Sequence, residues 1–209
     1  SFLKIIKFKG ELFWNVRQSL EEMNQLKFLT RFIIKFLSKI SNFLKPTIIY
    51  CGKNPKKTHK NIGFFSKKSY VIYNGFNNQK IYNHKTKETT IKFVCASRYS
   101  PQKNIPLMIE GLKELRKKNI SFLCDFYGAG FDSKNNKLTS LIKKYELSKN
   151  INLLGQENEI KNIFSGYHYS LQTSNMEGFS NSIGESMSFG IPVICSNVGE
   201  NPYLVSKSG

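Results

Sequence analysis

No run in the 209 residues reaches the ~18 uninterrupted apolar positions that a membrane-spanning helix needs. The opening residues, Ser1 to Gly10, carry lysines inside their apolar run and lack an Ala-x-Ala cleavage pattern, so they do not read as a signal peptide. There is no initiator Met either, and an interior fragment of a longer protein is the expectation. Cysteine is sparse. Cys51, Cys95, Cys124 and Cys195 each end an apolar, strand-like run, with no zinc-ligand or redox spacing and no secreted disulfide framework. Buried, reduced thiols in a cytoplasmic protein are expected. A Walker A sequence, an H-E-x-x-H and a G-x-S-x-G are all missing, which sets aside the corresponding nucleotide, zinc-protease and hydrolase chemistries. His59, His84 and His168 stand isolated and are expected to be structural.

Acidic residues are few: 14 Asp and Glu against 32 Lys and Arg, a formal net charge of +18. Residues 1–90 hold 18 basic and 4 acidic residues, whereas residues 91–209 hold 14 and 10. The first segment therefore suits an anionic partner such as phospholipid, nucleic acid or a phosphorylated substrate. A lysine- and asparagine-rich composition throughout is the plain alternative. Basic residues are not interleaved with aromatics as in a nucleic-acid surface, so no nucleic-acid partner is expected. Arginine is scarce, and Arg98, placed in a loop, draws notice. With 40% hydrophobic and 22% charged residues, the chain can bury a sizeable core.

Leu26 to Leu44 has helical apolar spacing, with Lys27, Arg31, Lys35 and Lys39 recurring every fourth residue, and Pro46 stops it. That helix could lie on an anionic bilayer or pack on a sheet with its charged face solvated. Thr47–Tyr50 and Ser69–Tyr73 read as strands around a polar helix at 54–62, and Asn74-Gly75 is a turn. Residues 76–90 read as a linker. From Ile91 the pattern is regular: strands at 91–96, 121–127, 151–154, 167–171 and 192–195 alternate with helices at 105–118, 134–147, 157–164 and 181–189. Such alternation predicts an α/β fold with a doubly wound parallel sheet, whose ligands bind beyond the carboxyl ends of the strands.

Three loops at those ends matter. In Ser97 to Asn104, Arg98 and Lys103 flank a Pro turn at a helix entrance and could clamp a diphosphate, or be ordinary solvated charges. Gly128-Ala129-Gly130 begins like a dinucleotide fingerprint but meets Ser133 at the third glycine; its glycines suit either a tight turn or close approach to a ligand. In Thr173 to Glu185, two carboxylates eight positions apart straddle a helix start near Asn181. The backbone amides of Gly178, Phe179, Ser180, Asn181 and Ser182 converge there on an anion site. Glu177 and Glu185 supply acceptors for hydroxyls. Acceptors for sugar and donors for phosphate together suit a nucleotide sugar.

These features in order resemble the family 4 glycosyltransferases of the two-Rossmann-domain (GT-B) type. The resemblance rests on Val71-Ile72-Tyr73-Asn74-Gly75-Phe76, Ala96-Ser97-Arg98 through Lys103-Asn104, and Tyr127-Gly128-Ala129-Gly130. It continues through Leu154-Gly155, Glu177-Gly178-Phe179 through Glu185, Gly190-Ile191-Pro192-Val193-Ile194 and Val198-Gly199. It implies two Rossmann-like domains, the first incomplete: residues 1–75 as the end of an acceptor domain, 76–90 as linker, and 91–209 as a nucleotide-sugar domain lacking its last strand and helix. It also implies a hexosyltransferase that retains anomeric configuration. Arg98 and Lys103 would neutralise the donor diphosphate in place of a metal, with no cofactor. Glu185 would hold the ribose and Glu177 the donor sugar. Gly128, Gly130 and residues 178–181 would line the donor site, a UDP- or GDP-sugar being expected. The acceptor would be a growing polysaccharide or glycolipid at the inner face of the cell membrane. Gly184 departs from the family, where a bulkier apolar residue is usual, a change expected to affect packing more than chemistry. A non-catalytic basic surface-binding module and a sugar-nucleotide epimerase on the same architecture are the alternatives.

Overall fold

The computed structural model describes residues 10–21, 23–77 and 89–206. The chain divides into two compact units: residues 1–75 with 176–179, and residues 76–175 with 180–209. Most of the expected linker, 78–88, lies outside the described residues, as does His84. The grouping of Met176–Phe179 with the first unit departs from the expected 91–209 domain. Four residues inside a loop carry no local pattern that would announce it.

In the first unit, β1 (Phe13–Val16), β2 (Thr47–Tyr50) and β3 (Lys68–Val71) form a parallel sheet in that order. Parallel neighbours need long crossovers, supplied by α1 (Phe28–Leu44) and α2 (Lys53–Asn61). Strand β1 was not anticipated; its Asn15 interrupts a run only four residues long. His59 is buried, its Nδ1 lies 2.9 Å from the Pro55 carbonyl oxygen, and burial lowers its pKa, which is structural behaviour.

Helix α1 ends where Lys45 turns left-handed (φ 49°), its amide donating to the Ser41 carbonyl ahead of Pro46. Its buried residues are Ser38 and Ser41. The Ser41 hydroxyl accepts from the Phe65 amide (2.9 Å), and Asn42 Nδ2 donates to the Gly63 carbonyl (3.1 Å). The helix thus joins its unit through small polar residues. Its bulky arc faces outward: Phe28 is 78% exposed, Leu29 66% and Phe32 60%, with Ile33, Phe36 and Leu37 beside them. Among the described residues, no helix is long and apolar enough to cross a membrane.

In the second unit, β4 (Ile91–Ala96), β5 (Phe122–Tyr127), β6 (Ile151–Gly155), β7 (Tyr169–Gln172) and β8 (Val193–Cys195) form a parallel sheet ordered β6-β5-β4-β7-β8. The chain winds outward from β4 to β6, then returns to the other side of β4 for β7. Because crossovers are right-handed, reversing the winding direction places successive helices on opposite faces. Phe93, Cys95, Phe122, Cys124 and Phe126 therefore pack with Met108, Ile109 and Leu112 of α3 (Ile105–Lys117) and with Leu138 and Ile142 of α4 (Asn136–Lys144). Val94 packs on the other face with Phe189, Tyr167, and Phe164 of α5 (Ile160–Phe164). Period-two alternation along β4 divides its side chains between the two cores.

Helices α4 and α5 are shorter than expected, for local reasons. Asn135 Oδ1 accepts from the Leu138 amide (3.2 Å) and sets the start of α4. Beyond its far end, Glu146 is left-handed (φ 55°). Ahead of α5, the Glu157 carboxylate accepts from the amides of Asn158 and Glu159 (2.7 and 2.9 Å), so Glu157 precedes the helix instead of opening it. Helices α6 (Asn181–Ser188) and α7 (Asn201–Ser206) complete the unit. Cys51, Cys95 and Cys124 are buried free thiols, whereas Cys195 is only half-buried. Burial pushes the Cys95 thiol up to about 12. His168 accepts the Lys92 amide on Nδ1 (2.9 Å), another structural histidine.

Candidate donor site

The sheet order puts β4 beside β7 where the winding reverses, the switch point at which open parallel sheets bind ligands. Two expected loops leave the sheet from these adjacent strands, and the third leaves from β5. The loop after β4 passes through an exposed Arg98 into a 3-10 turn, Pro101–Lys103, which ends on Lys103, a half-buried residue. The loop after β7 leads through Ser180 into α6.

The 97–99 backbone is fixed from beneath. The Ser97 amide donates to the Tyr127 carbonyl (2.9 Å) and the Tyr99 amide to the Ala129 carbonyl (2.8 Å). Gly128 (φ +129°) lies so close that a Cβ there would stand 1.9 Å from the Ser97 carbonyl oxygen. At Gly130 (φ +83°) a Cβ would stand 2.9 Å from that of Tyr99. The two glycines thus answer to the packing of one loop on another, a demand met without a ligand.

At the end of β7, buried Gln172 organises the entrance to α6. Its Oε1 accepts from the Ser180 hydroxyl (2.8 Å) and the Ser182 hydroxyl (2.9 Å). Ser180 occupies the N-cap position of α6, yet its hydroxyl makes no cap bond. A serine there usually satisfies one of the first amides of the helix. Here it is turned away from them, leaving that end without a side-chain cap. Gln172 was not singled out from sequence, although a polar residue closing an apolar strand was the available signal.

Glu185, in the second turn of α6, is half-buried, and its carboxylate makes no hydrogen bond or ion pair among the described residues. Burial raises its pKa. A carboxyl whose pKa is higher folded than unfolded costs stability once ionised. The cost appears as pH climbs from the unfolded value through the raised one and then stays. Glu185→Gln should therefore raise the melting temperature at about pH 7.5, with the gain absent near pH 4, where wild type is protonated. A gain of equal size at both pH values would exclude this origin.

Gly184 has a packing explanation. A Cβ there would fall 2.0 Å from the Phe76 ring, which occupies the place of the usual bulkier side chain. Nothing in sequence pairs positions 76 and 184. Glu177 is buried and partnered. Gly178 is packed on the Arg17 carbonyl, 2.5 Å from where its Cβ would stand, and Phe179 lies 5.8 Å from the Tyr73 ring. All three belong to the segment grouped with the first unit, while Arg98, Lys103, Gly128, Gly130, Ser180, Asn181 and Glu185 belong to the second.

Residues 77–208 match the family model described as "Glycosyl transferases group 1". A capsular polysaccharide biosynthesis glycosyltransferase, CapH of Staphylococcus aureus, is 25% identical over 202 residues, covering 96% of this chain and 56% of that protein. The GtfA subunit of a UDP-N-acetylglucosamine–peptide N-acetylglucosaminyltransferase from Streptococcus parasanguinis is 28% identical over 128 residues, 56% of this chain and 25% of that protein. The chain thus spans just over half of the first relative and a quarter of the second. Among solved structures, HepE of Anabaena in complex with UDP and glucose superposes with a TM-score of 0.76 at 20% identity, over 91% of this chain and 54% of that one. TarM of S. aureus, solved with UDP among its ligands, gives 0.75 at 20% identity, over 97% of this chain and 41% of that one. These likenesses show the GT-B type of parallel α/β fold, and the family match decides membership. The chain belongs to the group 1 glycosyl transferases.

Proposed function

We propose that the chain carries the donor site of a retaining, metal-independent glycosyltransferase of the family 4 type, which moves a hexosyl group from a UDP- or GDP-sugar to a growing polysaccharide or glycolipid. The observation that carries this is the switch-point edge, where the loop bearing Arg98 and Lys103 adjoins the loop entering α6. Arg98 and Lys103 neutralise the charge that grows on the departing diphosphate, and the uncapped start of α6 adds amide donors and its dipole. Glu185, half-buried without a partner, accepts from the ribose diol; a module that bound only anions would gain nothing from an acceptor there. The assignment of Glu177, Gly178 and Phe179 to the donor sugar rests on the family resemblance. Catalysis is then positioning together with stabilisation of the leaving group, which departs from the face that the acceptor attacks. HepE, TarM and GtfA, whose names or structures carry UDP or a UDP-sugar, favour uridine; CapH, named for capsule synthesis, favours a saccharide acceptor.

A thermal-shift screen of UDP-, GDP- and ADP-sugars tests this. A rise with UDP-sugars that survives EDTA is expected. No shift with any of the three, or a shift abolished by EDTA, overturns it.

The outward arc of α1 extends the proposal to a membrane surface at the cytoplasmic face. Phe28, Phe32 and Phe36 are exposed alongside Lys35 and Lys39, an arrangement suited to an anionic bilayer at ~1 kcal/mol per basic residue near the surface. Co-sedimentation should show binding to anionic vesicles that falls with salt. Equal binding to neutral vesicles, or none at low salt, would end this part of the reading.

A further inference from the structure

Where the β4 and β7 loops meet, three side chains outside the roles above tie them together. The Thr173 hydroxyl lies 3.2 Å from the Lys103 carbonyl oxygen and 3.0 Å from that of Asn104, and donates to this pair. Beside it, the Asn175 backbone N–H donates to the Gln102 carbonyl (2.8 Å). Asn104 Nδ2 donates to Asn175 Oδ1 (2.8 Å). Asn104 sits left-handed (φ 44°) at the N-cap of α3, yet its side chain makes no cap bond. An asparagine in that place ordinarily serves its own helix; this one reaches across to the neighbouring loop. The β7 loop is braced on its other side, where the Ser196 hydroxyl donates to the Ser174 carbonyl (2.5 Å). The result is a hydrogen-bonded bridge from the backbone of Lys103 to the loop that enters α6.

We propose that Asn104, Thr173 and Asn175 form a latch of positioning residues that sets the Lys103 cation against the α6 entrance, so that both can engage one nucleoside diphosphate. This rests on the donor-site reading above. The latch acts through Lys103, so its loss should matter only while Lys103 is present. Asn104→Gly suits the test because glycine keeps the left-handed backbone while removing the amide. Thr173→Val keeps the shape and removes the donor.

Titration calorimetry with UDP on the full chain decides, comparing wild type, Asn104→Gly, Asn175→Ala, Thr173→Val, Lys103→Ala and the double variant Lys103→Ala/Asn175→Ala. Each latch variant should weaken UDP by roughly tenfold, with faster hydrogen exchange at residues 102–104. The double variant should be no weaker than Lys103→Ala alone, since a latch with nothing to position has no further effect. Normal UDP affinity in the latch variants beside a weakened Lys103→Ala would overturn the latch and leave the donor site standing. Fully additive losses in the double variant would also overturn it, marking the latch as merely structural. No loss in Lys103→Ala would overturn the donor-site reading and the latch with it.

Discussion

Arg98→Ala should lower turnover of the active enzyme by about 10²–10³, the scale of losing one donor to a charged transition state. Arg98 is exposed on a loop whose backbone is held by the Ser97 and Tyr99 amides, bonds that the substitution leaves intact. The fold should therefore survive, and the melting temperature should stay within about 1 °C of wild type, as for a surface change. The guanidinium is proposed to meet a diphosphate already charged in the bound donor and more charged as the glycosidic bond breaks. Binding should consequently suffer less than the chemical step, and kcat should fall further than KM rises. Steady-state kinetics with donor varied separate these. A loss confined to KM would move Arg98 from transition-state stabilisation to ordinary binding, and unchanged kinetics would remove it from the site.

Gly128→Ala should cost stability instead, by about 3–5 kcal/mol, from backbone strain and a direct overlap together. The new methyl would stand 1.9 Å from the Ser97 carbonyl oxygen, at a φ of +129° that L residues rarely adopt. The opposing atom is backbone, itself bound into the strand end through the Ser97 amide, so it has no rotamer by which to yield. In a chain of this size the change should lower the melting temperature by roughly 10 °C. Circular-dichroism melting checks it. Gly63→Ala is the useful control: φ there is also positive (+95°), yet nothing lies within 4 Å of its Cβ position. It should show the conformational strain alone, and losses of equal size would mean that the overlap contributes nothing.

Much of the second unit was legible because its signals are local. Period-two alternation in Ile91–Ala96, helical spacing from Ile105 and turn residues between them specify strand, helix and loop without reference to distant residues. Helix starts set by one side chain's local bonds, those of Asn135 ahead of α4 and Glu157 ahead of α5, fall a few residues from where periodicity alone places them. Helix α1 was found with its charges on one side. Which side would be covered was not readable, because Ser38 and Ser41 look no more like a packing surface than Phe32 and Phe36 do.

By itself, then, the sequence determined the alternation of elements, the parallel sheet it demands, the loop that bears Arg98 and Lys103, and the helix that bears Glu185. Chain order and residue type suffice for these, since right-handed crossovers leave few topologies open. Tertiary structure alone decided what each loop rests on. Thr173 meets Lys103 seventy positions away, Gly128 makes room for Ser97, and Phe76 fills the space above Gly184. Such pairings follow from which strands become neighbours in the sheet, and no spacing along the chain encodes the distance between two loops that leave adjacent strands.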